Sequence, residues 1–246
     1  MGKGRMMQTQ ILYEDEAVLV IRKPAGLATE SAGIAQKDVV SELKNHISRK
    51  TPGKQPYLGV VHRLDQPVEG LLVFGKTKKA ADHLTGQLNN GSLKKEYLAV
   101  VCGKVSDSKG SLVDNLKKEK GMAVIDETGR DPAGRKAVLF YEQVGRSEDS
   151  TLLKIHIETG RFHQIRAQLS HAGFPILGDE KYGTQESRQL SGKKGIRFVA
   201  LCACHIRFQH PVTGKQMDFT EMPQNPAFDS FPQGILGECG QRNVFA

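Results

Sequence analysis

Residues 60–77, Val-Val-His-Arg-Leu-Asp-Gln-Pro-Val-Glu-Gly-Leu-Leu-Val-Phe-Gly-Lys-Thr, constrain the fold of this chain more than any other stretch. Apolar runs at 60–61 and 71–74 read as strand pieces bounded by Gly59, Gly70 and Gly75. The polar segment between them, His62-Arg63-Leu64-Asp65, is broken by Pro67 and closed by Gly70, so it is a connection held by strands at both ends. Such connections are favoured places for chemistry, because a rigid scaffold positions their side chains. Asp65 is the short carboxylate there, with Arg63 close by. A plainer reading stands beside this one: Asp65 caps the turn and Arg63 makes a surface ion pair.

Gly70 to Thr77 also spell G-x-x-x-x-G-K-[ST], the phosphate-binding loop pattern. That loop must curl so that consecutive N–H groups converge on a phosphate. Leu71-Leu72-Val73-Phe74 is instead a bulky β-forming run whose N–H groups belong in a sheet. A nucleotide hydrolase built on 70–77 is therefore the weaker reading.

Elsewhere, 10–13 and 17–22 read as short strands around Glu14-Asp15-Glu16, and 28–36 as loop. Asp38 is a plausible N-cap for a helix carrying Val39, Val40, Leu43 and Ile47, which the basic 49–54 segment breaks. Thr77 caps a second helix with Ala80, Ala81, Leu84 and Leu88 on one face, stopped by Asn89-Asn90-Gly91. The run 94–101 is a strand in which Tyr97 shares a face with Ala99 and Val101, where a half-buried structural Tyr is the ordinary alternative to a function. Only 122–125 looks extended within 105–134, so that segment is a flexible basic excursion or a short hairpin. Runs 136–144 and 152–157 alternate like neighbouring antiparallel strands. This strand-rich order with scattered helices predicts an α+β fold on a mixed, largely antiparallel sheet. A short tail over 1–9, one domain over 10–222 and a C-terminal tail over 223–246 are expected.

Lys and Arg exceed Asp and Glu by 35 to 27, a net charge of +8, which favours a polyanionic partner, most commonly nucleic acid. With no Trp and 6% aromatic residues, a broad stacking platform is not expected to be the main device. No apolar run has membrane-spanning length, and Met1–Met6 lacks the apolar core of a signal peptide. Four cysteines without such a signal suggest a reducing cytosol, so a cytoplasmic protein is expected. In a strand, Cys202 and Cys204 share a face with Ile206 and Phe208 while His205 points away, which favours buried thiols over a zinc site with His210.

A second polar constellation, Glu158 to Leu169, holds Arg161, His163, Gln164, Arg166 and Gln168. Phe162, Ile165 and Leu169 have helical spacing, with His163, Arg166 and Ser170 on a neighbouring stripe. Arg is the residue best shaped to hold a carboxylate or phosphate bidentately, although a solvated helix face would carry the same letters.

Taken together, these motifs resemble the RluA-type family of RNA pseudouridine synthases along nearly the whole chain. The matching pieces are Ile11–Asp15 with Lys23-Pro24-Ala25-Gly26, His62–Asp65 through Gly70–Phe74, and Lys95-Glu96-Tyr97. Thr159–Arg166, Gly173–Asp179 and His210–Gly214 follow in order. The resemblance implies Asp65 as the catalytic residue, Arg63 as an aid to flipping the target nucleotide, and Tyr97 against the target base. It also implies Arg166 paired with the aspartate and an apolar wall near Leu201. His62 and Arg161, in the same motifs, stand with Arg63 and Leu201 as substrate-binding candidates. Val68-Glu69 departs from the usual Thr-Ser and adds a carboxylate near the site. An S4-type RNA-binding domain is expected to be absent, since about ten residues precede the first strand.

The implied reaction breaks the N–C bond of uridine and remakes it from C5 of the same base. One carboxylate suffices where glycoside hydrolysis uses two, because the uracil anion is not surrendered to water. Asp65 could attack C1′ or take the 2′ proton. Neither redox state nor composition changes, so neither cofactor nor metal is expected. The partners expected are ribosomal or transfer RNA, met by a monomer, with Lys76, Lys78, Lys79, Lys94, Lys95, Lys193, Lys194 and Arg197 supplying backbone attraction. A catalytically silent RNA-binding module is the rival reading.

Overall fold

A computed structural model describes residues 8–31, 36–50, 53 and 55–237. The expected tails at 1–9 and 223–246, the 28–36 loop and the 49–54 break therefore lie partly outside the described residues. The chain resolves into two compact units, one of 1–94 with 205–221, the other of 95–204 with 222–246. Elements in chain order begin with β1 (Gln10–Glu14), β2 (Val18–Lys23), α1 (Val39–Lys50), β3 (Gly59–Val60), β4 (Glu69–Gly75) and α2 (Lys78–Asn89). Next come β5 (Lys94–Cys102), β6 (Lys109–Glu119), β7 (Met122–Ile125), β8 (Arg135–Arg146), β9 (Ser150–Ile157), α3 (Gln164–His171) and α4 (Gln185–Lys193). The chain closes with β10 (Leu201–Gln209), β11 (Gln216–Thr220), a 3-10 turn at Pro226–Ser230 and α5 (Gln233–Leu236). The fold is α+β, with strands that pair antiparallel within each unit.

In the first unit, β2 pairs with β1 on one edge and with β4 on the other, from Val18↔Gly75 to Lys23↔Gly70. The N–H groups of Leu71–Phe74 are thus in a sheet, and Thr77 Oγ1 accepts from Ala80 N at 3.2 Å as the cap of α2. Residues 70–77 form a strand and a helix start rather than a phosphate loop. Gly75 allows α2 to approach closely, since a Cβ there would sit 2.4 Å from Ala81 N. Asp38 Oδ1 accepts from Ser41 N at 2.6 Å, giving α1 its expected cap. Val18, Val20, Leu71, Val73, Ala80, Leu84, Ile206 and Phe208 form the core that these elements enclose.

Glu14 ties β1 to α1 and to the end of β4, with its carboxylate at 2.9 Å from His46, 2.7 Å from Lys50 and 3.0 Å from Lys76. Burial raises its pKa, but the Lys50, His46 and Lys76 contacts overcome that and bring it from 4.5 to about 2. Below 4.5 the unfolded chain takes up a proton that the folded chain refuses, so this stabilisation is present above 4.5 and lost as pH falls towards 2. Denaturation of parent and Glu14→Gln is expected to show a stability gap that narrows across that window. A gap independent of pH would remove Glu14 from the acid response.

In the second unit the order is β5-β9-β8-β6-β7, each neighbour antiparallel. The 105–134 segment contains a β6–β7 hairpin, paired from Leu116↔Ile125 to Glu119↔Met122, and β6 runs longer than its apolar content suggested because it also pairs with β8 from Lys109↔Glu142 to Leu116↔Arg135. Most of β6 is exposed or half-buried, so it carries little hydrophobic signal. The helix expected over 162–172 starts only at Gln164, because His163 adopts the left-handed conformation (φ 51°) and turns Phe162 out of the helical path.

Cys102, Cys202 and Cys204 are buried. His205 and His210 are engaged by separate aspartates, at 2.7 Å from Asp218 and 2.8 Å from Asp15. Among the described residues no group of three or more His, Cys, Asp or Glu is placed to hold a metal, and no helix is long and apolar enough to cross a membrane.

Candidate active site

Asp65 is half-buried on the connection between β3 and β4, and the residues on both sides of it are held by one neighbouring segment. Thr29 Oγ1 donates to Leu64 O (2.8 Å) and accepts from Leu64 N (3.2 Å). Lys23 Nζ donates to Gln66 O (3.1 Å), Leu27 O (2.7 Å) and Pro24 O (3.0 Å). Gly26 N also donates to Gln66 O (2.8 Å), and Gln66 Nε2 donates back to Gly26 O (3.1 Å). Gly26 reaches this position with φ 87°, a conformation that glycine adopts without penalty. Val68 N donating to Asp65 O (3.1 Å) closes the turn. The backbone of Asp65 is thereby fixed while its carboxylate stays partly open, which suits a reacting group.

Lys23 is fully buried, and its three carbonyl acceptors match the three protons of an ammonium. Burial pushes its pKa down to about 7, with the charges of Asp65 and Glu69 pulling the other way. The extra carboxylate at Glu69 is buried as well, 3.4 Å from Arg22, whose Nε lies 3.9 Å from Glu221. Neither Lys23, Arg22 nor Thr29 was singled out from the sequence for a role at this site. The available signal was a lysine ending an apolar strand just before Pro24-Ala25-Gly26.

Thr29→Val is expected to leave both backbone groups of Leu64 without their buried partner, costing about 1–3 kcal/mol. The Asp65 turn then loosens, so kcat is expected to fall by roughly tenfold or more. Denaturation and turnover measured together check this; a variant with parental kcat would show that the clamp does not position Asp65.

Arg63 projects into solvent, with Nη1 3.8 Å from Glu30 Oε2. An exposed pair at that distance holds it weakly. His62, by contrast, is buried. Lys76 is not free for RNA, since it serves Glu14 and the carbonyl of Asp15. Lys194 is similarly engaged by Asp149 at 2.8 Å, whereas Lys78, Lys79, Lys94, Lys193 and Arg197 remain exposed.

In the second unit the polar constellation separates into distinct jobs. Gln164 is structural: its Oε1 accepts from Thr159 Oγ1 (2.8 Å) and Arg161 N (3.0 Å), and its Nε2 donates to Val138 O (3.0 Å). Gln168 ties α3 to β6 through Asp114 Oδ2 (2.6 Å). Arg166 is buried and gripped bidentately by Asp179, Nε to Oδ2 at 2.7 Å and Nη2 to Oδ1 at 2.8 Å. Asp179 Oδ1 also accepts from Lys181 N (3.0 Å) and Tyr182 N (3.1 Å), and the Tyr182 ring lies 5.1 Å from the guanidinium. Asp179, the last residue of the Gly173–Asp179 motif, fixes the plane of Arg166. Tyr97 is buried in β5 opposite Ile155, and Leu201 is buried at the head of β10. Arg161 is exposed, its Nε donating to Lys136 O (3.0 Å).

A family model described as RNA pseudouridylate synthase matches residues 17–171. "Ribosomal large subunit pseudouridine synthase D" of Zymomonas mobilis is 34% identical over 227 residues, 88% of this chain and 70% of that protein. "Ribosomal large subunit pseudouridine synthase C" of Pasteurella multocida is 33% identical over 242 residues, 96% of this chain and 70% of that one. The solved structure titled "Human RNA Pseudouridylate Synthase Domain Containing 4" shares the fold, with a TM-score of 0.73 at 22% identity over 90% of this chain and 92% of that one.

Proposed function

This chain belongs to the RNA pseudouridine synthase family, and on that premise we propose that it isomerises uridines in structured RNA, ribosomal or transfer, with Asp65 as the reacting carboxylate. The observation that carries the assignment is the clamp on Leu64 and Gln66, which holds the backbone of Asp65 still and leaves its side chain partly exposed.

Two routes are chemically open to one carboxylate. It can attack C1′ and displace uracil as its N1 anion, or it can remove the 2′ proton so that the base leaves from a glycal. The freed base then turns: in the first route C5 bonds to C1′ as the Asp65 carboxylate leaves it, and in the second C5 bonds to C1′ of the glycal as Asp65 returns the proton to C2′. The C5 proton is then lost and N1 is protonated, so composition is unchanged. The target atom is shielded inside stacked RNA, so the nucleotide is extruded first, with Arg63 filling the gap and His62 and Arg161 serving the substrate. Tyr97 against the uracil can relay the departing C5 proton. Arg166, its plane set by Asp179, serves as the cation that orients the Asp65 carboxylate, and Leu201 gives the base an apolar wall. The chemistry calls on no redox group and no metal. A cytoplasmic location and a monomer fit an enzyme of this kind.

Tritium release from RNA labelled at C5 of uridine tests the proposal directly. Release at a stoichiometry matching pseudouridine supports it. RNA binding without release would instead support a silent binding module on the same scaffold.

A further inference from the structure

The second unit carries an aromatic side chain that the reaction does not use. Phe162 is 42% exposed on the loop ahead of α3, yet it is firmly held. One face of its ring stacks on His163, with centroids 3.7 Å apart and planes 21° from parallel. His163 is fixed by its left-handed backbone and by Tyr182, whose hydroxyl lies 2.8 Å from Nδ1 and whose ring meets it edge-on. The same hydroxyl accepts from Ala123 N in β7 (2.7 Å), so its own proton is available for Nδ1. Behind Tyr182 stands the Arg166–Asp179 pair. An exposed ring is thus the outer end of a rigid column that begins at a candidate catalytic arginine.

The surroundings of the ring are basic. The exposed Lys118 of β6 places its ammonium 4.7 Å from the ring centroid. Exposed Arg161 precedes Phe162 and sits on the carbonyl of exposed Lys136. The nearby carboxylates of Glu119 and Asp131 are both occupied by Lys117, at 2.9 and 3.0 Å. A flat apolar face with an ammonium over it and an exposed arginine next to it in the chain matches a nucleobase with its phosphates.

We propose that Phe162 is a stacking platform for one unpaired base of the RNA, with Lys118 and Arg161 taking the adjoining phosphates. The proposal rests on the RNA-modifying function inferred above and assigns it a contact outside the reacting groups. When RNA arrives, the Lys118 ammonium moves from the ring to a phosphate and the base takes its place. Base–aromatic stacking outweighs an exposed cation–π contact, and the phosphate contact adds to it.

The chain contains no Trp, so Phe162→Trp introduces a single indole at the proposed platform. Its emission is followed while a mixed-sequence single-stranded RNA of roughly 18 nucleotides is added. Quenching that saturates together with filter binding is expected, and the same strand annealed into a blunt duplex is expected to leave emission nearly unchanged. Phe162→Ala is expected to bind the single strand about 5- to 150-fold more weakly, the equivalent of about 1–3 kcal/mol. Lys118→Ala is expected to flatten the salt dependence by about 0.7 in log–log slope. Single-strand binding by Phe162→Trp without quenching, or parental affinity in Phe162→Ala, would overturn the platform. Tritium release by the parent chain, run alongside, separates the two ideas: release without quenching sinks the platform alone, and quenching without release sinks the isomerase assignment alone.

Discussion

Asp65→Asn is expected to abolish conversion of uridine while RNA affinity stays within about tenfold of the parent chain. The amide is nearly isosteric with the carboxylate, so the clamp on Leu64 and Gln66 has no reason to change. What disappears is the capacity to attack C1′ or accept the 2′ proton, and no other group in the turn replaces it. Glu69 is buried against Arg22, and Arg63 carries no basic lone pair at working pH. The loss is therefore expected in kcat, with little change in the binding of unreacted RNA. Single-turnover tritium release with a parallel filter-binding titration measures both. Turnover comparable with the parent would end the assignment of Asp65.

Asp179→Asn is expected to destabilise the second unit by about 3–5 kcal/mol, because it takes the bidentate carboxylate away from the buried guanidinium of Arg166. For a chain of this length that corresponds to a fall in Tm of about 6–20 °C. Asp179→Asn combined with Arg166→Gln removes both charges, so it is expected to regain part of the lost stability. It is expected not to regain turnover, since the cation proposed to serve Asp65 is gone. Thermal melts and tritium release on both variants separate the structural contribution from the chemical one. A single variant that melts like the parent would mean that Asp179 is not what holds Arg166, and full turnover by the double variant would remove Arg166 from the mechanism.

The local parts of the fold were legible in the sequence because they depend on neighbouring residues. Asp38 and Thr77 cap α1 and α2 as their spacing suggested, since a cap needs only a side chain within three residues of the N–H it satisfies. Period-two alternation located β8 and β9, which are half or more buried over 137–145 and 150–157. It underestimated β6, whose pairing partner β8 supplies the order that its own polar residues do not announce.

Asp65, Arg63, Tyr97 and Arg166 could be picked out as candidates from motif and chemistry, but the contacts that hold them could not. Lys23 meets Gln66 across 43 residues of sequence, and Thr29 meets Leu64 across 35. Phe162 shows the same limit in a single residue. By spacing it belongs on a helix face with Ile165 and Leu169, yet one left-handed peptide at His163, buttressed by Tyr182 nineteen residues later, starts the helix after it and turns its ring to solvent. The sequence by itself determined which segments become strands and helices and which side chains have reactive chemistry, because those follow from local sterics and hydrogen-bonding capacity. Only the tertiary structure decided which polar groups meet, because a buried ammonium, guanidinium or carboxylate takes whatever partner the folded chain brings within about 3 Å.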